Sequence, residues 1–197
     1  GPDRDSEELA MVALRDATTG GVTLDDVSPT MLIAERQVLR QLRTWRTQVA
    51  PQIVPMHVEV RLNAEFGDVT VSGQPDVTVD GSIRDLKTGR VQRANSAQYG
   101  TYSLHWRAHG HDVSALIEDY VERAPLKLEQ PPAVSTVINV AEAETSATAI
   151  IKRMTADLDA FRRTGDPWSF VANPASMMCG EKWCPAWGTN FCRAHKQ

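Results

Sequence analysis

The sequence predicts an α/β fold, a mixed central sheet flanked by helices, with a cysteine-rich C-terminal tail. Three observations predict it. Residues 56–62, MHVEVRL, alternate apolar and polar side chains with the period of a half-buried strand. Residues 69–102 read as two short strands around an Asp-Gly turn, followed by a helix. Residues 30–49 and 141–163 carry apolar side chains at helical spacing.

A chain of 197 residues with 42% hydrophobic content is long enough for one domain with a real core and too apolar to be disordered. It contains no apolar run of membrane-spanning length, and no secretory signal is expected. Gly1-Pro2 has the form of a protease-cleavage remnant, so a natural start upstream is expected. The net charge of −4 does not advertise a nucleic-acid binder, so any such role needs a local basic face.

Taken in order, residues 5–17 suggest a short helix with Glu7 and Glu8 near its start, broken by Thr18-Thr19-Gly20-Gly21. A stronger helix follows from about Thr30 to Val49. Ser28 is the expected N-cap, and Pro29 suits the first helical position. Met31, Ala34, Val38, Leu42, Trp45 and Val49 fall on one side of it, and Arg36, Arg40 and Arg43 form a basic stripe opposite. That stripe reads as a solvated face before it reads as a DNA contact. In the 56–62 strand, Glu59 shares a face with His57 and Arg61, and is either a third carboxylate near the site or a surface ion-pair partner.

The chemistry concentrates in residues 69–102. Asp76 follows Gly73-Gln74-Pro75, and Asp85-Leu86-Lys87 lies on the next strand. Asp85 and Lys87 share a strand face, and the hairpin at Val79-Asp80-Gly81 lays the Asp76 end beside them. Two carboxylates this close repel unless a cation lies between them. The natural cation is Mg²⁺ or Mn²⁺, which prefers oxygen ligands, keeps several waters and offsets charge on a phosphate. Lys87 would orient a water or stabilise the added negative charge. The next helix, expected from Ser96 as cap to about Ala108 with Gly110 ending it, places Gln98, Tyr102, His105 and His109 along one stripe. The two histidines are expected at the surface. Arg84, Arg90 and Arg93 flank the site as possible phosphate contacts.

The order Gly73-x-Pro75-Asp76, Asp85-x-Lys87-Thr88-Gly89, Gln98-x-x-x-Tyr102 resembles the PD-(D/E)XK nuclease superfamily, in its RecB-like branch of Cas4-like, AddB-type and phage exonucleases. The resemblance implies a restriction-endonuclease-like fold. It implies metal binding by Asp76 and Asp85 with a backbone carbonyl from Leu86, a catalytic role for Lys87, and Gln98 and Tyr102 on the DNA backbone or bracing the site. That branch usually carries a further His or Glu on an upstream helix. Glu8 and Glu35 are the available positions, and neither matches convincingly.

Val113–Arg123 and Ala133–Val140 read as two further strands. The helix over 141–163 is expected to bury Ala147, Ile150, Met154, Leu158 and Phe161, and Gly165-Asp166-Pro167 stops it. All three cysteines, Cys179, Cys184 and Cys192, lie in the tail. An odd, clustered set argues against a disulfide framework and for a soft metal, Zn²⁺ or an iron–sulfur cluster. With His195 they form a possible Cys₃His zinc set. The superfamily resemblance instead implies a [4Fe-4S] cluster, for which the usual upstream cysteine is absent.

The expected organisation is a nuclease domain over 1–168, including the N-terminal helices, and a metal-binding tail over 169–197 packed on it. The expected function is Mg²⁺- or Mn²⁺-dependent hydrolysis of DNA, as an exonuclease in recombination, repair or phage DNA processing. The expected setting is the cytoplasm, with DNA as partner and a helicase or recombination protein feeding it. The rival from another class is an inactive nuclease-like domain that binds DNA or protein. A third reading is a zinc module whose D-x-K run is accidental.

Overall fold

The computed structural model describes residues 2–92, 95–166, 169, 180–181, 184, 187–189 and 192. The chain divides into two compact units, Gly1–Glu65 with Thr70–Ala147, and Phe66–Val69 with Thr148–Gln197. Among the described residues no helix is long and apolar enough to cross a membrane.

The first unit opens with helices α1 (Pro2–Thr19) and α2 (Met31–Gln48). Strands β1 (His57–Val58), β4 (Val77–Val79), β5 (Ser82–Gly89), β6 (Ala115–Glu122) and β7 (Val134–Ile138) form a sheet in the order β1-β4-β5-β6-β7. The β5–β6 pair is parallel, and the other neighbours are antiparallel, so the sheet is mixed as expected. A parallel pair needs a crossover. Here α3 (Ser96–Ala108) supplies it. Between β1 and β4 the chain forms a separate ribbon of β2 (Leu62–Phe66) and β3 (Val69–Gly73).

Tyr99, Tyr102 and Trp106 of α3 pack on Ile83 of β5 and Leu116 of β6, with Leu62, Val113 and Ala143 completing the core. Gly100 makes this packing possible. A Cβ there would stand 1.9 Å from the Ala143 carbonyl oxygen at the start of α4 (Val140–Thr164). The other face of the sheet receives α2, where Gln41 donates to the Val121 carbonyl at 3.0 Å.

Several local expectations need correction. The α2 cap is Thr30, whose hydroxyl accepts the Ile33 N–H at 3.3 Å. Ser28 is buried instead, donating to Gln37 at 2.5 Å and accepting from Arg123 at 3.3 Å. The fully buried stripe of α2 is Ala34, Gln37, Gln41 and Thr44, largely polar, while the predicted apolar stripe beside it is mostly half-buried. The 56–62 strand breaks at Glu59, which adopts φ of +50°, so two short strands belonging to different sheets replace one. The cap of α3 is Asn95, accepting the Gln98 N–H at 3.4 Å, rather than Ser96. Gly110, with φ of +85°, follows the helix end as expected.

The second unit contains the tip of the β2–β3 ribbon and α4 from Thr148 onward. Arg162 forms an ion pair with Asp68, and Phe66, Ile151 and Thr155 line a cavity beside the ribbon tip. Ile151 is buried, but Ile150, Met154 and Phe161, expected in the core, are exposed. The helix turns its Ala143-Ala147-Ile151 stripe inward, one position out of phase with the larger apolar residues.

Candidate active site

The site is built from the hairpin upward. Val79 pairs with Ser82, leaving Asp80-Gly81 as a two-residue turn in which Gly81 has φ of +66°. Val77 pairs with Arg84, so the next residues along, Asp76 and Asp85, meet at the far end of the hairpin. Asp76 accepts the Leu86 N–H through Oδ2 at 2.7 Å, which ties it to the D-x-K strand. The strand period puts Ile83, Asp85 and Lys87 on the face toward α3. Asp85 is buried, and Lys87, half-buried, forms an ion pair with it.

Gly73 explains the approach to Asp76. A Cβ at that position would stand 2.7 Å from Nδ1 of His105 and 3.3 Å from Tyr102. The strand therefore crosses directly over α3. His105 is consequently fully buried, not a surface histidine. Burial lowers its pKa, against the raising effect of a hydrogen bond with the Val71 backbone. His109 is exposed and bonds the Asn63 carbonyl at 3.0 Å.

Gln98 donates to the Tyr102 hydroxyl at 2.7 Å, so the two motif residues of α3 form one unit beside Lys87. Burial raises the Tyr102 pKa, the bond from Gln98 lowers it, and the Asp85 charge raises it. Burial also pushes the Asp85 carboxyl above its usual range; the Lys87 hydrogen bond pulls against this, and the neighbouring Asp76 charge adds to the push. At Lys87 burial works against the ammonium, but the hydrogen bond and charge of Asp85 outweigh it, and its pKa lies above the ordinary lysine value.

Three further residues reach the same face. Glu118 of β6 is the in-register partner of Asp85 in the parallel pair and is buried. Tyr99 donates to Glu118 Oε2 at 2.8 Å and lies 3.4 Å from Asp85 Oδ2. Gln92 donates to Glu118 Oε1 at 2.7 Å. In the sequence Glu118 stands beside Asp119 in the strand ALIEDYVE, one crossover after D-x-K, and the parallel register is what singles it out.

Other predicted residues lie elsewhere. Arg84 is not a phosphate contact: it points to the opposite sheet face and holds Asp119 in a two-point ion pair at 2.8 and 2.7 Å. Arg90 is exposed, and Arg93 lies outside the described residues. Glu35 is bound to Arg15 at 2.8 Å. In the α2 stripe, Arg43 pairs with Glu7 at 2.7 Å and Arg40 donates to the carbonyls of Pro125 and Leu128, so only Arg36 of the three shows no internal bond among the described residues. Glu59 is exposed, and its N–H donates to the Asp76 carbonyl at 2.8 Å. Cys179 and His195 lie outside the described residues, and Cys184 and Cys192 are free thiols. Among the described residues no three His, Cys, Asp or Glu side chains are grouped to enclose a metal ion.

A family model described as the PD-(D/E)XK nuclease superfamily matches residues 3–193. The chain belongs to this superfamily. Its mixed α/β sheet accords with the restriction-endonuclease-like fold of such nucleases, which in general use divalent metals. No curated protein matches this nuclease-superfamily chain. Among solved structures it is similar to an exonuclease candidate from Eubacterium rectale, with 13% identity and a TM-score of 0.49, over 73% of this chain and 64% of that one. The chain thus spans a little under two thirds of that protein's length. It is also similar to SSO0001, with 12% identity and a TM-score of 0.37, over 74% of this chain and 84% of that one.

Proposed function

We propose that the chain is a divalent-metal-dependent deoxyribonuclease that hydrolyses phosphodiester bonds from a strand end. The observation that carries the reading is the meeting of Asp76, Asp85 and Lys87 at one end of the β4–β5 hairpin. Asp76, Asp85 and the Leu86 backbone carbonyl would hold Mg²⁺ or Mn²⁺. The donor set fits, because a small hard cation takes one or two carboxylates and fills its remaining positions with water and substrate phosphate. When bound, such an ion offsets phosphate charge and makes water a better nucleophile.

The chain's own residues do the rest. Lys87, held protonated beside Asp85, supplies a fixed positive charge to the phosphate oxygens as negative charge builds there. The Gln98–Tyr102 pair has one rotamer fixed by its internal bond, and so offers a rigid polar edge for positioning the strand. We further take residues 1–168 as the nuclease domain and 169–197 as a tail whose Cys179, Cys184 and Cys192 hold a structural Zn²⁺ or [4Fe-4S] cluster. Zinc and iron content, with the visible spectrum of anaerobically purified protein, tests that. The setting we favour is the cytoplasm, with DNA supplied by a helicase or recombination partner.

The test of the activity is linear DNA labelled at one end, with Mg²⁺, Mn²⁺ or EDTA, for wild type, Asp85→Asn and Lys87→Ala. Cleavage should need metal, and each substitution should lower its rate by about 100-fold or more. The product ladder reports polarity. DNA binding without cleavage under either metal would turn the reading to a nuclease-like binding domain.

A further inference from the structure

Tyr99 has one hydroxyl proton and two carboxylates within reach. Its oxygen lies 2.8 Å from Glu118 Oε2 and 3.4 Å from Asp85 Oδ2. The side chain is fully buried in the core between β5 and β6, so the ring cannot move away from either. Glu118 is equally fixed, with Gln92 bonded to its other oxygen at 2.7 Å and its backbone in register with Asp85. A carboxylate kept 1% exposed on two neutral donors is costly to bury, and an apolar side chain would fill the same space at less cost.

We propose that Tyr99 and Glu118 are positioning residues for Asp85: Glu118 anchors the Tyr99 hydroxyl, and that hydroxyl fixes the orientation in which Asp85 receives a divalent cation. This rests on the reading of Asp85 as a cation ligand. In the present arrangement Lys87 occupies Asp85 Oδ2, and the Tyr99 hydroxyl is shared unequally, nearer Glu118 than Asp85. When Lys87 turns to a phosphate, Asp85 loses a donor. The Tyr99 hydroxyl, kept in place by Glu118, is then the protein donor left beside Asp85 Oδ2, with no movement of ring or backbone. Glu118 retains the Gln92 bond meanwhile. Neither residue belongs to the motif elements at Asp76, Asp85, Lys87, Gln98 and Tyr102.

The test is Mn²⁺ affinity by titration calorimetry on the full chain without DNA, for wild type, Tyr99→Phe, Glu118→Gln, the double variant and Asp85→Asn, with thermal melts in EDTA alongside. Outer hydrogen-bond partners of metal ligands change affinity by about 10- to 100-fold. Tyr99→Phe and Glu118→Gln should each weaken Mn²⁺ about 10-fold, and the double variant no further, because both break one chain of bonds. Losses that multiply in the double variant would mean that Glu118 acts on the cation without Tyr99 and would overturn the proposal. Unchanged affinity with a lowered melting temperature would make the pair purely structural. Should Glu118→Gln fail to fold, Glu118→Asp, which keeps the charge but withdraws it from the hydroxyl, takes its place with the same expected loss. Asp85→Asn separates the two levels: if it binds Mn²⁺ as tightly as wild type, the metal-site reading fails, whereas loss there with unaltered Tyr99→Phe defeats only the present proposal.

Discussion

Asp85 and Glu118 stand opposite one another in the parallel β5–β6 pair, both buried and both within reach of the same tyrosine hydroxyl. Such a pair is costly to bury. Its cost should be measurable apart from any activity.

Burial, against the pull of Lys87, keeps the Asp85 pKa above its ordinary 3.8. The folded chain therefore binds more protons than the unfolded one between the ordinary and the raised value, so stability falls as pH rises through that window. Asp85→Asn should melt above wild type at pH 7 in EDTA, and the gain should shrink below about pH 4, where Asp85 is protonated in both states. Paired thermal melts at the two pH values check this. An Asn variant less stable at pH 7 would mean that the Lys87 bond outweighs the burial penalty.

The ion pair of Arg84 and Asp119 lies on the other face of the same strands, with Ser135 adding a bond at 2.5 Å. Both partners are largely withdrawn from water, at 12% and 3% exposure. Removing one partner strands the other, so Asp119→Asn should cost about 3 kcal/mol. Urea unfolding of Asp119→Asn, and of the double change Arg84→Met with Asp119→Leu, checks this. The double change should recover most of the loss.

Gly100→Ala should be among the most damaging small substitutions, because the added methyl meets backbone rather than a movable side chain. A loss of about 3 kcal/mol is expected, from overpacking that only a shift of α3 against the start of α4 relieves. Gly73→Ala meets the His105 ring at 2.7 Å instead. It should cost about 1–3 kcal/mol and also slow cleavage, since displacing Gly73 displaces Asp76 three residues on. Calorimetric melts with parallel cleavage assays separate the two effects.

His105 contributes a pH dependence of opposite sign to that of Asp85. Its folded pKa is lowered, first by burial, so between that value and the ordinary 6.5 the unfolded chain binds more protons. Stability from this group is fully present above about pH 6.5 and is lost as pH falls below it. The slope of unfolding free energy between pH 6.5 and 5 should be smaller in His105→Gln than in wild type. Equal slopes would mean that His105 charges without penalty in the folded state.

The α/β class, the Asp-Gly hairpin, the meeting of Asp76 with Asp85 and Lys87, and the Gln98–Tyr102 pair were legible because each rests on local spacing. A two-residue turn fixes register, and one helical turn brings Gln98 to Tyr102. What escaped depends on partners distant in the chain. Glu118 joins Asp85 only through the parallel register that the α3 crossover sets. His105 is buried because Gly73 lets β3 pass over α3, and nothing in the helix stripe alone signals that. Arg84 looked like a flanking phosphate contact until β6 brought Asp119 opposite. On α2, amide side chains took the most buried stripe because Val27 and Val121 offer carbonyls to Gln37 and Gln41.

The alternation of β5 makes one strand serve two masters. Odd positions carry Asp85 and Lys87 to the α3 face, and the even position Arg84 grips Asp119 behind it. Sliding β5 by a single residue against β6 would exchange the two faces, leaving Asp85 in the lock and Arg84 in the site. The rear ion pair thus works as an alignment pin: it admits one seating of the strand and rejects the next. Replacing Lys87 leaves that pin in place, because Lys87 pairs with Asp85 on the other face. Without the pin, the strand would lose the means of telling its two faces apart.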